Sequence, residues 1–335
     1  MSLLEVQDLS VVFSRRGRRD VRAVDGVSFS VDAGQTLGVV GESGSGKSVT
    51  SLAIMGLLPR RGAAVGGEVT FAGKKLLQMR QDELRDLRGK ELAMIFQDPL
   101  SALNPVVPIG RQVTELLTRH RGMSGADSRR EAARLLDLVG IPDPDRRLRE
   151  YPHQLSGGMR QRALIAMAVA CQPKLLIADE PTTALDVTIQ AQILELLKDL
   201  VRQQGTALVL ITHDLGVVAG LCDRVNVMYS GRIVEAAERR TLFVDPRHPY
   251  TTGLLGSIPR LDSAEGAPLL PIPGSPTDTL PWSSACAFAP RCSRSLEVCT
   301  TVTPDLEPDG RRSLRCHNPV PAEEAAAVGA EGRRE

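Results

Sequence analysis

The sequence has no excess of charge of either sign, no long hydrophobic run, and few cysteines outside its final fifth. Its 41 lysines and arginines stand against 40 aspartates and glutamates, a formal net charge of +1 over 335 residues. That balance excludes the basic footprint with which nucleic-acid binders neutralise phosphate, so no nucleic-acid partner is expected. No uninterrupted apolar stretch approaches the roughly 18 residues needed to cross a bilayer. The strongest runs, such as Ala207–Ile211, have the length of buried strands, and the chain cannot form a pore by itself. The amino terminus, MSLLEVQDLSVVF, opens with alternating strand-like character and lacks a basic segment followed by an apolar segment and a cleavage site. The cytoplasm is the expected location.

What is present is enough for one large α/β domain and a smaller appendage, with 42% of residues hydrophobic. From about Leu3 to Val40 the chain reads as short β segments, with Arg15, Arg16, Arg18 and Arg19 in a solvated loop or, less readily, a lipid-headgroup contact. From Thr36 strand and helix alternate: a strand to Val40, a helix from Lys47 to Leu58 stopped by Pro59, then β segments around Glu68–Phe71 and Leu92–Phe96. Such alternation implies a largely parallel sheet. Between Gln97 and Leu155 the pattern is helical, with Val113, Leu116 and Leu117 on one stripe and Ala132, Leu135, Leu136 and Val139 on another, as in an inserted helical subdomain. Leu175–Ala178 and Ala207–Ile211 then read as strands buried on both faces. Ile189, Ile193, Leu196, Leu197 and Leu200 mark one face of the helix between them. After about Arg260 proline, glycine and serine dominate, and the Ala- and Glu-rich tail from Pro321 is expected to be disordered.

The run GESGSGKS at 41–48 fits G-x-x-x-x-G-K-[ST], and it follows an expected strand and opens an expected helix, which is the context the motif requires. Glycines let the backbone curl round the β- and γ-phosphates of a nucleotide and present N–H donors at a helix N-terminus, where the dipole also favours anions. Gly41, Glu42, Ser43, Gly44, Ser45, Gly46 and Val49 frame this cradle for ATP, Lys47 adds a point charge, and the Ser48 hydroxyl is a Mg²⁺ ligand candidate. A glycine-rich turn that merely joins strand to helix is the plainer alternative.

The run LLIADE at 175–180 sets two carboxylates at the end of an apolar strand, where open α/β sheets build ligand sites. Asp179 is placed to hold Mg²⁺, directly or through water, and Glu180 to act on the attacking water as general base or orienting group. Together these two motifs point to phosphoryl chemistry without naming its purpose.

The run LSGGMRQR at 155–162 is more specific. Another Ser-Gly-Gly turn at a helix start is a second anion cradle in a chain that already has one. With it, the sequence resembles ABC-transporter ATPases, and further elements match in order: Gln97 after a strand, Ala184-Leu185-Asp186 after the acidic pair, and His213 after the Ala207–Ile211 strand. The resemblance implies a P-loop NTPase fold of the ABC nucleotide-binding type: a parallel core sheet, an antiparallel β subdomain and an inserted helical subdomain. It implies a head-to-tail dimer in which Ser156, Gly157 and Gly158 close over ATP held by the partner's phosphate loop. It also implies that Gln97 senses Mg²⁺ and water, Asp186 communicates across the dimer, His213 contacts the γ-phosphate, and an aromatic residue near the amino terminus, Phe13, stacks on adenine. Taken alone, His213 would more often be structural.

Longer stretches narrow the resemblance: FQDPLSALNP at 96–105, YPHQ at 151–154, HPYT at 248–251, and CAFAPRC at 286–292. Together they look like the dipeptide/oligopeptide importer ATPases, a pattern shared with nickel and some sugar importers. The implied organisation is an ABC ATPase domain at 1–258 with its helical part at 98–158, a small Cys-rich C-terminal extension at 259–320, and a tail at 321–335. The implied partners are two permease subunits, an extracytoplasmic binding protein acting indirectly, and a second ATPase that is a paralogue or another copy, on the cytoplasmic face of the membrane. A non-transport ABC ATPase and a redox- or metal-sensing regulator are the rival readings.

Cys286, Cys292, Cys299 and Cys316 put four thiols into a segment too small to support a core of its own. Disulfides are disfavoured in a reducing compartment, and structural zinc uses tighter Cys pairs, which leaves an iron–sulfur cluster, an atypical zinc site or unliganded thiols. The family resemblance favours a [4Fe–4S] cluster over Zn²⁺. His317 could replace Cys316 in a zinc site.

Overall fold

The computed structural model describes residues 2–14, 20–182, 187–257, 272–279 and 282–325. The basic loop at 15–19, Asp186 and most of the tail lie outside these residues. Twelve strands are described: β1 (Leu4–Phe13), β2 (Val21–Val31), β3 (Thr36–Val40), β4 (Ala63–Phe71), β5 (Lys74–Lys75), β6 (Leu92–Ile95), β7 (Leu175–Asp179), β8 (Ala207–Thr212), β9 (Arg224–Tyr229), β10 (Arg232–Glu238), β11 (Glu307–Asp309) and β12 (Arg312–Leu314). They form two sheets, an antiparallel one in the order β2-β1-β4-β5 and a larger one in the order β11-β12-β10-β9-β3-β8-β7-β6.

In the larger sheet β9, β3, β8, β7 and β6 run parallel, as the apolar runs predict. Every residue of β3, β7 and β8 is buried, because both faces are covered. Register then fixes the site. Val40 pairs with Thr212, Asp179 with Ile211, and Ile95 with Ala178, so four neighbouring strands end along one edge. The segments that follow them carry the expected catalytic residues, in the crevice where open α/β sheets bind ligands.

Helix α1 (Lys47–Ile54) opens directly from the glycine loop. It ends four residues before the expected Leu58, because Gly56 turns left-handed at φ 62° and Arg88 caps the freed carbonyls of Met55 and Gly56 at 2.7 and 2.8 Å. After α2 (Gln81–Leu87) come the inserted helices: α3 (Pro99–Ala102), α4 (Ile109–Arg121), α5 (Gly125–Leu138) and α6 (Pro144–Arg147). Val113 and Leu117 of α4 bury against Ala132, Leu135 and Leu136 of α5 in the cluster that also holds α7 (Gly157–Val169). On α8 (Val187–Gln204), Ile193, Leu197 and Leu200 face the core as the periodicity predicts. Helices α9 (Leu215–Leu221), α10 (Arg239–Val244) and α11 (Pro249–Gly256) complete the framework. Among the described residues no helix is long and apolar enough to cross a membrane.

The expectation of a separate Cys-rich extension is not supported. β12 adds to β10 of the core sheet, with Ala236 opposite Ser313 and Glu235 opposite Leu314, and β11 adds to β12. Trp282, Cys286, Phe288 and Cys299 belong to the same apolar cluster as the helical insert and the core sheet. The fully buried Glu235 receives Arg312 at 3.1 Å and the backbone N–H groups of Arg247 and His248 at 3.0 Å each. A segment too small to bury its own apolar residues has borrowed an existing core.

Candidate active site

The phosphate loop leaves the buried end of β3 and is glycine-rich for steric reasons as well as for turning. At Gly41 (φ 155°) a Cβ would overlap the Met228 carbonyl, and at Gly46 (φ 100°) it would overlap the Ala23 carbonyl. No side chain fits where the loop passes this closely between β2 and β9. Gly46 is also the N-cap of α1, and the Thr50 hydroxyl donates back to its carbonyl at 2.9 Å. Ser43 and Gly44 form the exposed tip, whereas Ser45 and Lys47 are buried and Val49 packs on the core beneath.

Lys47 folds over its own loop, its ammonium donating to the Gly41 carbonyl at 2.7 Å and the Glu42 carbonyl at 2.9 Å. Burial lowers its pKa from the ordinary lysine value, opposed by the negative charges of Glu180, Asp179 and Glu42. The ammonium is thus held in a carboxylate-rich pocket with two carbonyls and the Ser45 hydroxyl as acceptors, a position from which a phosphate oxygen is a better partner.

The Ser48 hydroxyl donates to Asp179 Oδ1 at 3.0 Å, which brings together two of the three residues expected at Mg²⁺, Gln97 being the third, from positions 131 residues apart. Burial pushes the Asp179 carboxyl up to about 6, Glu180 adds to the rise, and Ser48 and Lys47 oppose it. A divalent cation would relieve that cost, so a hydroxyl and a buried carboxylate at this spacing suit Mg²⁺.

Glu180 stands just past β7 at φ 46°, a strained conformation for a non-glycine residue, held by its N–H donating to the Ile211 carbonyl at 2.8 Å. The strain turns its carboxylate toward Gln97 and His213. Gln97 Nε2 donates to Oε2 at 3.1 Å, and His213 Nδ1 lies 3.4 Å from Oε1. Three residues from three strand ends therefore converge.

Ser156 caps α7, its hydroxyl accepting from the Met159 N–H at 3.3 Å. Gln161 of that helix, not singled out by the motifs, is buried and donates to the Pro181 carbonyl at 2.6 Å, one residue past Glu180. Helix α7 is in this way tied to the segment that carries Glu180. Phe13, at the end of β1, is partly buried against the β core.

The ABC transporter family profile matches residues 24–183, and the profile for the oligopeptide/dipeptide transporter C-terminal region matches residues 234–299. An oligopeptide transport ATP-binding protein, OppD of Salmonella typhimurium, is 52% identical over 95% of this chain and 94% of its own length. The chain belongs to the ABC transporter ATP-binding family. A dipeptide transport ATP-binding protein, DppD of Bacillus subtilis, is 54% identical over 90% of each chain. A dimeric ATP-binding cassette solved in a post-hydrolysis state with ADP and Pi superimposes with TM-score 0.64 and 29% identity, covering 70% of this chain and 98% of that one. The chain is thus an ABC-type ATPase.

Cys286, Cys292, Cys299 and Cys316 line one small cavity, together with His248, whose buried Nε2 has no hydrogen-bond partner. Burial pushes the Cys286 thiol up to about 11 and the Cys316 thiol up to about 12, with the neighbouring thiols adding to both. Among the described residues no group of three or more His, Cys, Asp or Glu is gathered to hold a metal ion. Zinc needs four donors about 2.3 Å or less from one ion, and the structure does not support it here. His317, the alternative ligand, has its Nε2 3.0 Å from the Val302 carbonyl. The expected [4Fe–4S] cluster likewise has no gathered ligand set, and what the structure contains is the convergence of four thiols on one cavity.

Proposed function

We propose that this chain hydrolyses ATP to ADP and phosphate and couples that reaction to uptake of dipeptides or oligopeptides through partner permeases, from the cytoplasmic face of the membrane. The convergence of Gln97, Glu180 and His213 beside the Ser48–Asp179 pair carries the hydrolytic part. The strong identity to OppD and DppD over nearly the whole chain supports the peptide part.

In this reading the loop N–H groups and Lys47 hold the β- and γ-phosphates, and Lys47 leaves its carbonyl partners to stabilise the transferring charge. Ser48 and Asp179 would hold Mg²⁺, which neutralises charge on the triphosphate. Glu180 orients water and takes its proton, while Gln97 and His213 fix the carboxylate's direction and His213 reaches toward the γ-phosphate. Ser156, Gly157 and Gly158 close over ATP bound to a second ATPase subunit, a paralogue or another copy, with Asp186 relaying across the dimer and Phe13 stacking on adenine.

Glu180→Gln should retain ATP binding while slowing turnover by roughly 10²–10⁴-fold, read by single-turnover hydrolysis. Undiminished hydrolysis would remove Glu180 from its role. Uptake of labelled peptide into vesicles holding the reconstituted transporter tests the substrate.

For the four cysteines we propose a [4Fe–4S] cluster, whose four thiolate ligands match in number the four thiols that line one cavity. Broad visible absorbance and about four irons per anaerobically purified chain would support it. A colourless, iron-free protein would end it.

A further inference from the structure

Two sequence motifs, HPYT at 248–251 and CAFAPRC at 286–292, have no part in the hydrolytic steps above, yet both arrive at one residue of the phosphate loop. Tyr250, fully buried on α11, accepts the Glu42 N–H on its hydroxyl at 2.8 Å. Its ring is fixed by Tyr229 and Phe288, at centroid distances of 4.8 and 5.3 Å. Arg291, only 4% exposed, grips the Glu42 carboxylate with both arms of its fork, at 2.7 Å to Oε2 and 3.0 Å to Oε1. Its remaining Nε donates to the Pro273 carbonyl at 2.9 Å. The Glu42 carbonyl meanwhile accepts from Lys47.

Each polar group of Glu42 is therefore held, two of them by side chains more than 200 residues away. Glu42 precedes the exposed tip Ser43–Gly44, so fixing it sets the path of the loop just before the donors that must meet phosphate. The Arg291 charge also neutralises a carboxylate that would otherwise repel an incoming triphosphate. A lysine could supply the charge but not the planar fork that fixes direction.

The geometry points to Arg291 as a positioning residue for ATP: by clamping Glu42 it keeps the phosphate loop in its nucleotide-receiving shape. A loop already in that shape binds without first being ordered, so losing the clamp weakens ATP binding more than it slows chemistry.

The test is a double-mutant cycle in the full-length chain, with Arg291→Gln, Glu42→Gln and the pair, read as KM for ATP, kcat and melting temperature. Arg291→Gln should raise KM about tenfold while kcat changes by less than about threefold, and the paired variant should add little to either single one. Arg291→Lys should recover part of the affinity. A purely structural ion pair would lower the melting temperature with KM unmoved, and that result in a folded variant overturns the proposal, as does additivity of the two KM effects. Should Arg291→Gln fail to fold, Glu42→Gln decides alone, since it leaves the C-terminal side chains in place. An unchanged KM there refutes the clamp.

Discussion

The phosphate loop and the Cys-bearing segment meet at Glu42 but are built from different kinds of contact. The loop owes its shape to backbone: positive φ at Gly41, Gly44 and Gly46, and carbonyls so close that side chains are excluded. The C-terminal segment has little regular structure of its own and is held by a few large side chains inserted into a core made by others. Trp282 donates its indole N–H to the Ser230 carbonyl at 2.8 Å and lies under the guanidinium groups of Arg232 and Arg315 at 5.3 and 5.8 Å. Local geometry thus makes the nucleotide site, and distant anchoring makes the segment that braces it.

That contrast can be broken by substitution. The largest effect is expected at Gly46→Ala, where the added methyl displaces the loop from the Ala23 carbonyl. ATP affinity should fall by about 10²-fold or more, measured by calorimetric titration, while circular dichroism keeps its native form. Trp282→Ala should instead cost about 3–5 kcal/mol of stability in denaturant titrations. Were the segment an independent appendage, that variant would leave the main unfolding transition in place. Ser124→Ala removes the cap of α5, whose hydroxyl accepts from the Asp127 N–H, and should cost about 1 kcal/mol with no change in KM for ATP. The smallest effect belongs to Lys75→Ala, which breaks an exposed 2.6 Å pair with Glu68 and should leave the denaturant midpoint almost unmoved.

The same contrast governs what could be read from the chain. Lys47, Ser48, Asp179 and Glu180 were legible because each sits at a fixed offset from an apolar strand or a glycine, and the pairing of β3, β7 and β8 brings those offsets to one edge. The stripes on α4, α5 and α8 were legible for a similar reason, since periodicity records which face is buried. Arg291 was visible as part of a motif but not as a partner of Glu42, because no local pattern encodes a contact across 249 residues. Glu235 was missed as well. An acidic residue in a strand reads as solvent-facing until Arg312 arrives to neutralise it. β11 and β12, three residues each and largely polar, carry too little periodicity to be recognised as strands of the core sheet.

Those two short strands also fix an order of events. The core sheet acquires its outer edge from residues 307–314, near the end of the chain. A nascent chain already contains Lys47, Asp179, Glu180 and His213 while β10 still presents an open edge, with backbone groups able to pair with any strand nearby. Closure of that edge needs residues 307–314, which follow Trp282 and Arg291 in the chain. A chain released early would be able to form the phosphate loop but not brace it, and would leave β10 exposed to other chains in the same condition.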